Sequence, residues 1–291
     1  MGEWFVGAES ATEEEEYFFD LNGFIIVKGA IDPDHVAECN EILDRYPLEL
    51  TFGDWWGNVH VHSFNEANNG INLQQIYEAG EPFERLIDHP KWIKRMQRFV
   101  GGEGSFDYNH GALFIDECFA SFRGPGEAIG LHSGGADYTL RGRFSYFDGR
   151  FSCGQVNALM ALTDIGPGDG ATMVIPASHK SNLVHPALTS HRMTDGEKRS
   201  VEGVKGAIEV HLDAGDVLIF VDSMCHGSAA RHNEGERRIV VYRYGPSWGY
   251  FRHGYKPSDE LMARLTKDRK GIVNPHHEVL APPERIPDPQ R

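Results

Sequence analysis

Residues 155–163 read Gln155-Val156-Asn157-Ala158-Leu159-Met160-Ala161-Leu162-Thr163. Side chains alternate across a strand, so Val156, Ala158, Met160 and Leu162 share one face. Gln155, Asn157, Leu159, Ala161 and Thr163 share the other. The first face is wholly apolar and packs on a core or on helices. The second carries two amides and suits the wall of a polar cavity; an edge strand facing solvent is the alternative.

Working outward, Ala171 to Ile175, Asp216 to Phe220 and Arg238 to Tyr244 are further short strands separated by Gly and Pro turns. Upstream, Phe24 to Lys28 is an apolar run between Gly23 and Gly29 and reads as a strand. Asp32-Pro33 places an N-cap before a proline in the first helical turn. Val36, Cys39 and Leu43 follow at helical spacing, so the helix runs to about Tyr46. A second helix is expected near Pro82 to Val100, and a third near Pro257 to Thr266 with Ser258 as its cap, ahead of a Pro-rich tail. Helices followed by many short strands predict a mainly β protein with flanking helices, a double-stranded β-helix (jelly roll, cupin-like). Neither a repeat nor a low-complexity linker divides the 291 residues. One domain over 1–291 is expected, with a mostly helical flank (1–110), a β core (111–250) and a C-terminal helix and tail (251–291).

Bulk composition narrows the function classes. The net charge of −15, with no basic block, argues against nucleic acid and anionic membrane surfaces as partners. No apolar run is long enough to cross a membrane. The N-terminal stretch carries Glu13 to Glu16 and lacks a basic region ahead of an apolar one, so a cytoplasmic protein acting on a small molecule is the expectation. Cys39, Cys118, Cys153 and Cys225 form no CxxC pair and read as buried free thiols. Fingerprints for nucleotide phosphates or a serine nucleophile are missing.

Fifteen histidines mean little singly, but two fall into an order with chemical content. Non-haem iron oxygenases hold Fe(II) through two histidines and usually one carboxylate, leaving a face open for cosubstrate and dioxygen. In jelly-roll members the first histidine follows an early strand and the second lies on a late one. An arginine about ten residues further on binds the far carboxylate of 2-oxoglutarate. Here His132 sits in Gly130-Leu131-His132-Ser133-Gly134 after a Pro125-Gly126 turn. His226 sits in Cys225-His226-Gly227-Ser228, after the strand 216–220. Arg237 lies eleven residues past His226, and Arg238 opens the last strand. A planar guanidinium binds a carboxylate bidentately, which gives Arg237 its logic.

With these residues the chain resembles the phytanoyl-CoA dioxygenase family over nearly its whole length. NGFIIVKGAIDP (22–33) is similar to that family's opening strand and helix. ALTDIGPGDGATMVIPASHKSN (161–182) resembles its central strand, turn and strand. HGSAARHNEGERR (226–238) resembles its second histidine, the serine two residues on and the cosubstrate arginine. The resemblance implies an Fe(II)- and 2-oxoglutarate-dependent oxidoreductase. His132 and His226 would be metal ligands and catalytic residues, and Arg237 and Ser228 would bind cosubstrate, with Asn157 or Gln155 assisting from the neighbouring strand.

One position departs from the family. Its first motif is His-x-Asp, whereas this chain has His132-Ser133-Gly134. Three readings follow. In a halogenase, Gly134 leaves room for chloride on the iron. In an oxygenase, water or a displaced carboxylate, Asp222 or Asp137, takes the third position. Four residues of extended chain span roughly 13 Å, so Asp222 serves only if the strand bends before His226. In the third reading catalysis has been lost and the chain is a jelly-roll small-molecule-binding protein. His60-Val61-His62 places two imidazoles on one strand face and reads as a surface or substrate-pocket strand. His276-His277 reads as solvated tail.

Overall fold

The computed structural model describes residues 5–62, 70–101, 113–134, 140–188, 203–249 and 254–275. Its first element, helix α1 (Glu13–Asn22), begins at a capping box. Thr12 Oγ1 accepts from Glu15 N at 3.1 Å, and Thr12 N donates to Glu15 Oε2 at 2.9 Å. The four glutamates that read as an acidic terminus fill its first turn, where negative charge suits the helix dipole. Gly23 (φ 85°) ends it and turns the chain into strand β1 (Phe24–Val27). Helix α2 (Pro33–Leu43) starts as the sequence predicts, with the Asp32 side chain accepting from His35 N.

The helix expected over Pro82 to Val100 is two, α3 (Glu81–Glu84) and α4 (Ile93–Val100). Pro90 supplies no N–H and disfavours helical backbone at His89, so the chain breaks between them. Helix α5 (Asp259–Arg264) has Ser258 as its cap, and α6 (Lys267–Val273), not foreseen, follows it.

The strands form two facing sheets and a hairpin. The main sheet is antiparallel, in the order β1, β12 (Val217–Val221), β9 (Val156–Ala161), β14 (Arg237–Gly245), β5 (Phe114–Arg123), β4 (Gly70–Gln74), β3 (Val59–His62), β2 (Trp55–Trp56). The flank 1–110 thus gives this sheet four strands besides its helices. The smaller sheet runs β11 (Ile208–Val210), β10 (Thr172–Val174), β13 (His226–Ser228), β6 (Ile129–His132). The hairpin pairs β7 (Phe144–Phe147) with β8 (Arg150–Cys153). This is the double-stranded β-helix.

The outer face of the main sheet is sealed by the helical segment. Tyr242 Oη donates to Phe83 O at 2.7 Å, and Tyr244 Oη bonds Ile87 O at 2.9 Å while accepting from Trp92 Nε1. Odd-numbered residues of β14 therefore face the small sheet. Register continues this inner face across the main sheet: Arg237 opposite Arg123, Ile239 opposite Ser121, Val241 opposite Phe119, Arg243 opposite Glu117. Ser121 leads on to Asn72 and His62, and Phe119 to Gln74, His60 and Trp55. Among the described residues no helix is long and apolar enough to cross a membrane.

Candidate active site

His132 and His226 are register partners across β6 and β13, with ring centroids 4.2 Å apart. Gly227 makes the close pairing feasible, because a Cβ there would lie 2.4 Å from Ile129 O. His132 Nδ1 lies 3.0 Å from Gly130 O, and His226 Nδ1 lies 2.6 Å from Met224 O. A carbonyl only accepts, so each Nδ1 carries the proton and each Nε2 keeps its lone pair. That is the tautomer of a metal-ligating histidine, oriented by a backbone oxygen behind it. Burial, with His132 alongside, pushes His226 down to about 3, so its imidazole is neutral at physiological pH. Phe220 packs on it from the main sheet at 5.0 Å. The donor set fits a divalent transition metal with open coordination positions.

A third protein ligand is not supplied by the described residues, which contain no group of three His, Cys, Asp or Glu side chains able to hold a metal. Asp222 is buried near His226, but both its oxygens are engaged. Oδ2 pairs with Arg141 Nε at 2.8 Å; Oδ1 accepts from Arg243 Nη1 at 2.9 Å and Asn157 Nδ2 at 3.3 Å. Asp137 lies outside the described residues. Gly134 has a reason of its own to be glycine. Its φ is 76°, and a Cβ built on it would lie 2.5 Å from Cys225 Cβ and 3.1 Å from Cys225 Cα. Ser133 beside it also has positive φ, 59°, a strained turn of the kind found beside functional groups.

Arg237 points from the main sheet to the small one, where its Nη2 lies 3.4 Å from Thr172 Oγ1. Thr172 is in register with Ser228, whose buried Oγ has no partner, and Arg237 Nε has none either. Buried polar atoms without partners mark a place that a ligand completes. Burial, with Arg123 and Arg231 adding to it, presses Arg237 down to about 9, and the guanidinium stays charged at neutral pH. Arg238 faces the other way and pairs with Asp44 and Glu236.

The two amides of the 155–163 strand part company. Asn157 is in register with Phe220 and Arg243, at the histidine end, and its Oδ1 has no partner. Arg243 is six residues from Arg237, ~20 Å along the strand, so Asn157 and Arg237 address opposite ends of the inner face. Gln155 Nε2 is bonded to Asp116 Oδ2 at 3.1 Å and is committed to the fold. His60 accepts or donates to Tyr255 Oη at 3.0 Å, and its ring lies 4.8 Å from Trp55; with His62 it forms the rim of the inner face. His276-His277 falls outside the described residues. Thr172, Arg141 and Arg243 escaped the sequence reading, since only strand register brings them to the site.

The family model of phytanoyl-CoA dioxygenase (PhyH) matches residues 19–239. Dioxygenase cdmD of Talaromyces verruculosus is 25% identical over 242 residues, 77% of this chain and 68% of that protein. The peroxisomal phytanoyl-CoA dioxygenase of Mus musculus is 22% identical over 249 residues, 81% of this chain and 69% of that protein. HygX from Streptomyces hygroscopicus, solved with nickel and 2-oxoglutarate, superposes with a TM-score of 0.67 at 21% identity, over 92% of this chain and 98% of that one. It shares the fold. From the ordered motifs, the jelly roll and the family match over residues 19–239, the chain belongs to the phytanoyl-CoA dioxygenase family.

Proposed function

We propose that this chain is an Fe(II)- and 2-oxoglutarate-dependent oxygenase of a polar small molecule, with His132 and His226 as the protein ligands and Arg237 as the cosubstrate anchor. The observation that carries this reading is the cross-strand histidine pair, two imidazoles in register with each Nδ1 held by a backbone carbonyl. Iron held there would supply the redox chemistry that couples decarboxylation of 2-oxoglutarate to attack on a substrate C–H bond. The chain's own contribution is placement and exclusion of water. Arg237, with Thr172 and Ser228, takes the far carboxylate of the cosubstrate. Asn157 stands at the histidine end, steered by Asp222. Phe220 and the main sheet wall off one side of the pair.

Hydroxylation is favoured over halogenation. Without a side chain at 134 the third position falls to water, and Gly134 answers to its own positive φ and to the close approach of Cys225, so its presence calls for no halide. HygX has also been solved with hygromycin B bound, a precedent for a small molecule held on this fold. The buried amides Asn72 and Gln74, with His60, His62 and Trp55 at the rim, would suit such a substrate. The test is oxygen-dependent conversion of 2-oxoglutarate to succinate by protein reconstituted with Fe(II), at equal rates with and without chloride. A chloride requirement would return the site to the halogenases.

A further inference from the structure

Arg237 has a neighbour of the same sign. The register of β14 and β5 sets it directly opposite Arg123, on the inner face both share. Like charges directly opposite one another destabilise strand pairing. Both guanidiniums are nevertheless buried, Arg123 3% and Arg237 4% exposed. A third arginine, Arg231, joins them, and it has a carboxylate: its Nη1 donates to Asp169 Oδ1 at 2.9 Å.

The other two have none. Arg123 donates to the carbonyls of Ala229 at 2.6 Å and Glu127 at 3.4 Å, and among the described residues Arg237 reaches only Thr172 Oγ1. The Nε of each of the three is without a partner. Among the described residues no ion pair forms to Arg123 or Arg237, so three buried positive charges face one negative charge. An uncompensated buried charge is costly, and two side by side more so. Burial and the charge of Arg231 press Arg123 down to about 10, which still leaves it protonated at neutral pH.

The backbone also makes room for Arg123. Gly170 has φ 73°, and a Cβ on it would lie 2.4 Å from Arg123 Nη2. The carbonyl that Arg123 grips belongs to Ala229, the residue after Ser228, so its guanidinium lies at the same end of the barrel as Ser228, Thr172 and Arg237. A carboxylate offers about four acceptor positions and accommodates two guanidiniums at once.

We propose that Arg123 is a second cosubstrate-binding guanidinium, which with Arg237 grips the far carboxylate of 2-oxoglutarate and makes the pocket select a 2-oxo diacid over a 2-oxo monoacid. It rests on the reading of Arg237 as the anchor. A monoacid such as pyruvate leaves both charges uncompensated; the diacid supplies the missing anion.

The test is calorimetric titration of the Mn(II)-loaded protein, in which binding is read without turnover. 2-Oxoglutarate and pyruvate are titrated into wild type, Arg123→Met, Arg123→Lys and Arg237→Met. Arg123→Met should bind 2-oxoglutarate at least tenfold more weakly with pyruvate within twofold of wild type, and Arg123→Lys should recover part of the loss. Should Arg123→Met not fold, Arg123→Lys decides: a loss of threefold or more for 2-oxoglutarate alone supports the assignment, and unchanged affinity overturns it. Equal weakening of both acids marks Arg123 as structural and overturns it too. Unchanged 2-oxoglutarate affinity in Arg123→Met, with a clear loss in Arg237→Met, removes Arg123 from the pocket and leaves Arg237 in place. If Arg237→Met also binds normally, the pocket itself lies elsewhere and the proposed cosubstrate site falls with it.

Discussion

The two faces of strand β14 are built on opposite rules. On the outer face, Val240, Tyr242 and Tyr244 are fully buried under the helical segment, and both tyrosine hydroxyls reach backbone carbonyls at Phe83, Leu86 and Ile87. Among the described residues, no buried polar side-chain atom of β14 on that face lacks a partner. On the inner face the same strand presents Arg237, opposite Arg123, with the orphaned Oγ of Ser228 nearby on the facing sheet. Burial of a polar group is costly unless a partner offsets it. The outer face is complete as folded, and its residues serve stability. On the proposed reading the inner face is completed by a bound anion and metal, and its residues serve function at some cost to stability.

The sharpest way to break this division is at the histidines. His132→Ala and His226→Ala should each abolish stoichiometric Fe(II) binding and succinate formation, with the melting temperature of the metal-free protein little changed. Metal analysis and calorimetry check both halves; a variant that keeps wild-type iron and turnover removes that residue from the site. Next in size is Arg237→Ala, which should weaken 2-oxoglutarate binding by about 1.5–3 kcal/mol, the worth of hydrogen bonds to a charged group. The same change relieves an unpaired buried charge, so the ligand-free protein should melt no lower than wild type. A large fall in melting temperature would make Arg237 a structural residue like those of the outer face.

The Gly134 position sharpens the comparison differently. Gly134→Ala should destabilise the fold by roughly 1–3 kcal/mol, from positive-φ strain and overpacking against Cys225. Denaturant unfolding of wild type and variant measures it, and an unchanged midpoint would mean that neither the backbone nor Cys225 requires glycine there. The smallest effect belongs to the outer face. Tyr242→Phe leaves the carbonyl of Phe83 without its donor and should cost about 1 kcal/mol, with 2-oxoglutarate affinity unchanged. A loss of cosubstrate binding there would mean that the two faces are coupled.

What was legible in the sequence follows the same line. Alternation in 155–163, the Asp32-Pro33 cap and the Ser258 cap are local signals, and the strand and helices they predict are present. The Thr12 to Glu15 capping box was equally local, but Glu13 to Glu16 were read only as an acidic N-terminal stretch. The break at Pro90 was masked by apolar periodicity continuing on both sides. At the site, the order His132, His226, Arg237 was readable because chain order along a jelly roll is itself a spatial statement. Partnerships set by register were not. Nothing local says that Arg123 stands opposite Arg237, that Gln155 is spent on Asp116, or that Asp222 is held by Arg141 and Arg243. At Gly134 the sequence shows the absent carboxylate but not the positive φ or the close approach of Cys225.

The most direct test of the inner face as an iron and 2-oxoglutarate site is an anaerobic absorbance titration. Protein loaded with one Fe(II) per chain is titrated with 2-oxoglutarate at constant ionic strength, with and without chloride. The account predicts a visible Fe(II)·2-oxoglutarate charge-transfer band that saturates at one cosubstrate per chain, is indifferent to chloride, and is lost in His132→Ala and His226→Ala. No band at saturating cosubstrate, or a band that persists in both histidine variants, would contradict it.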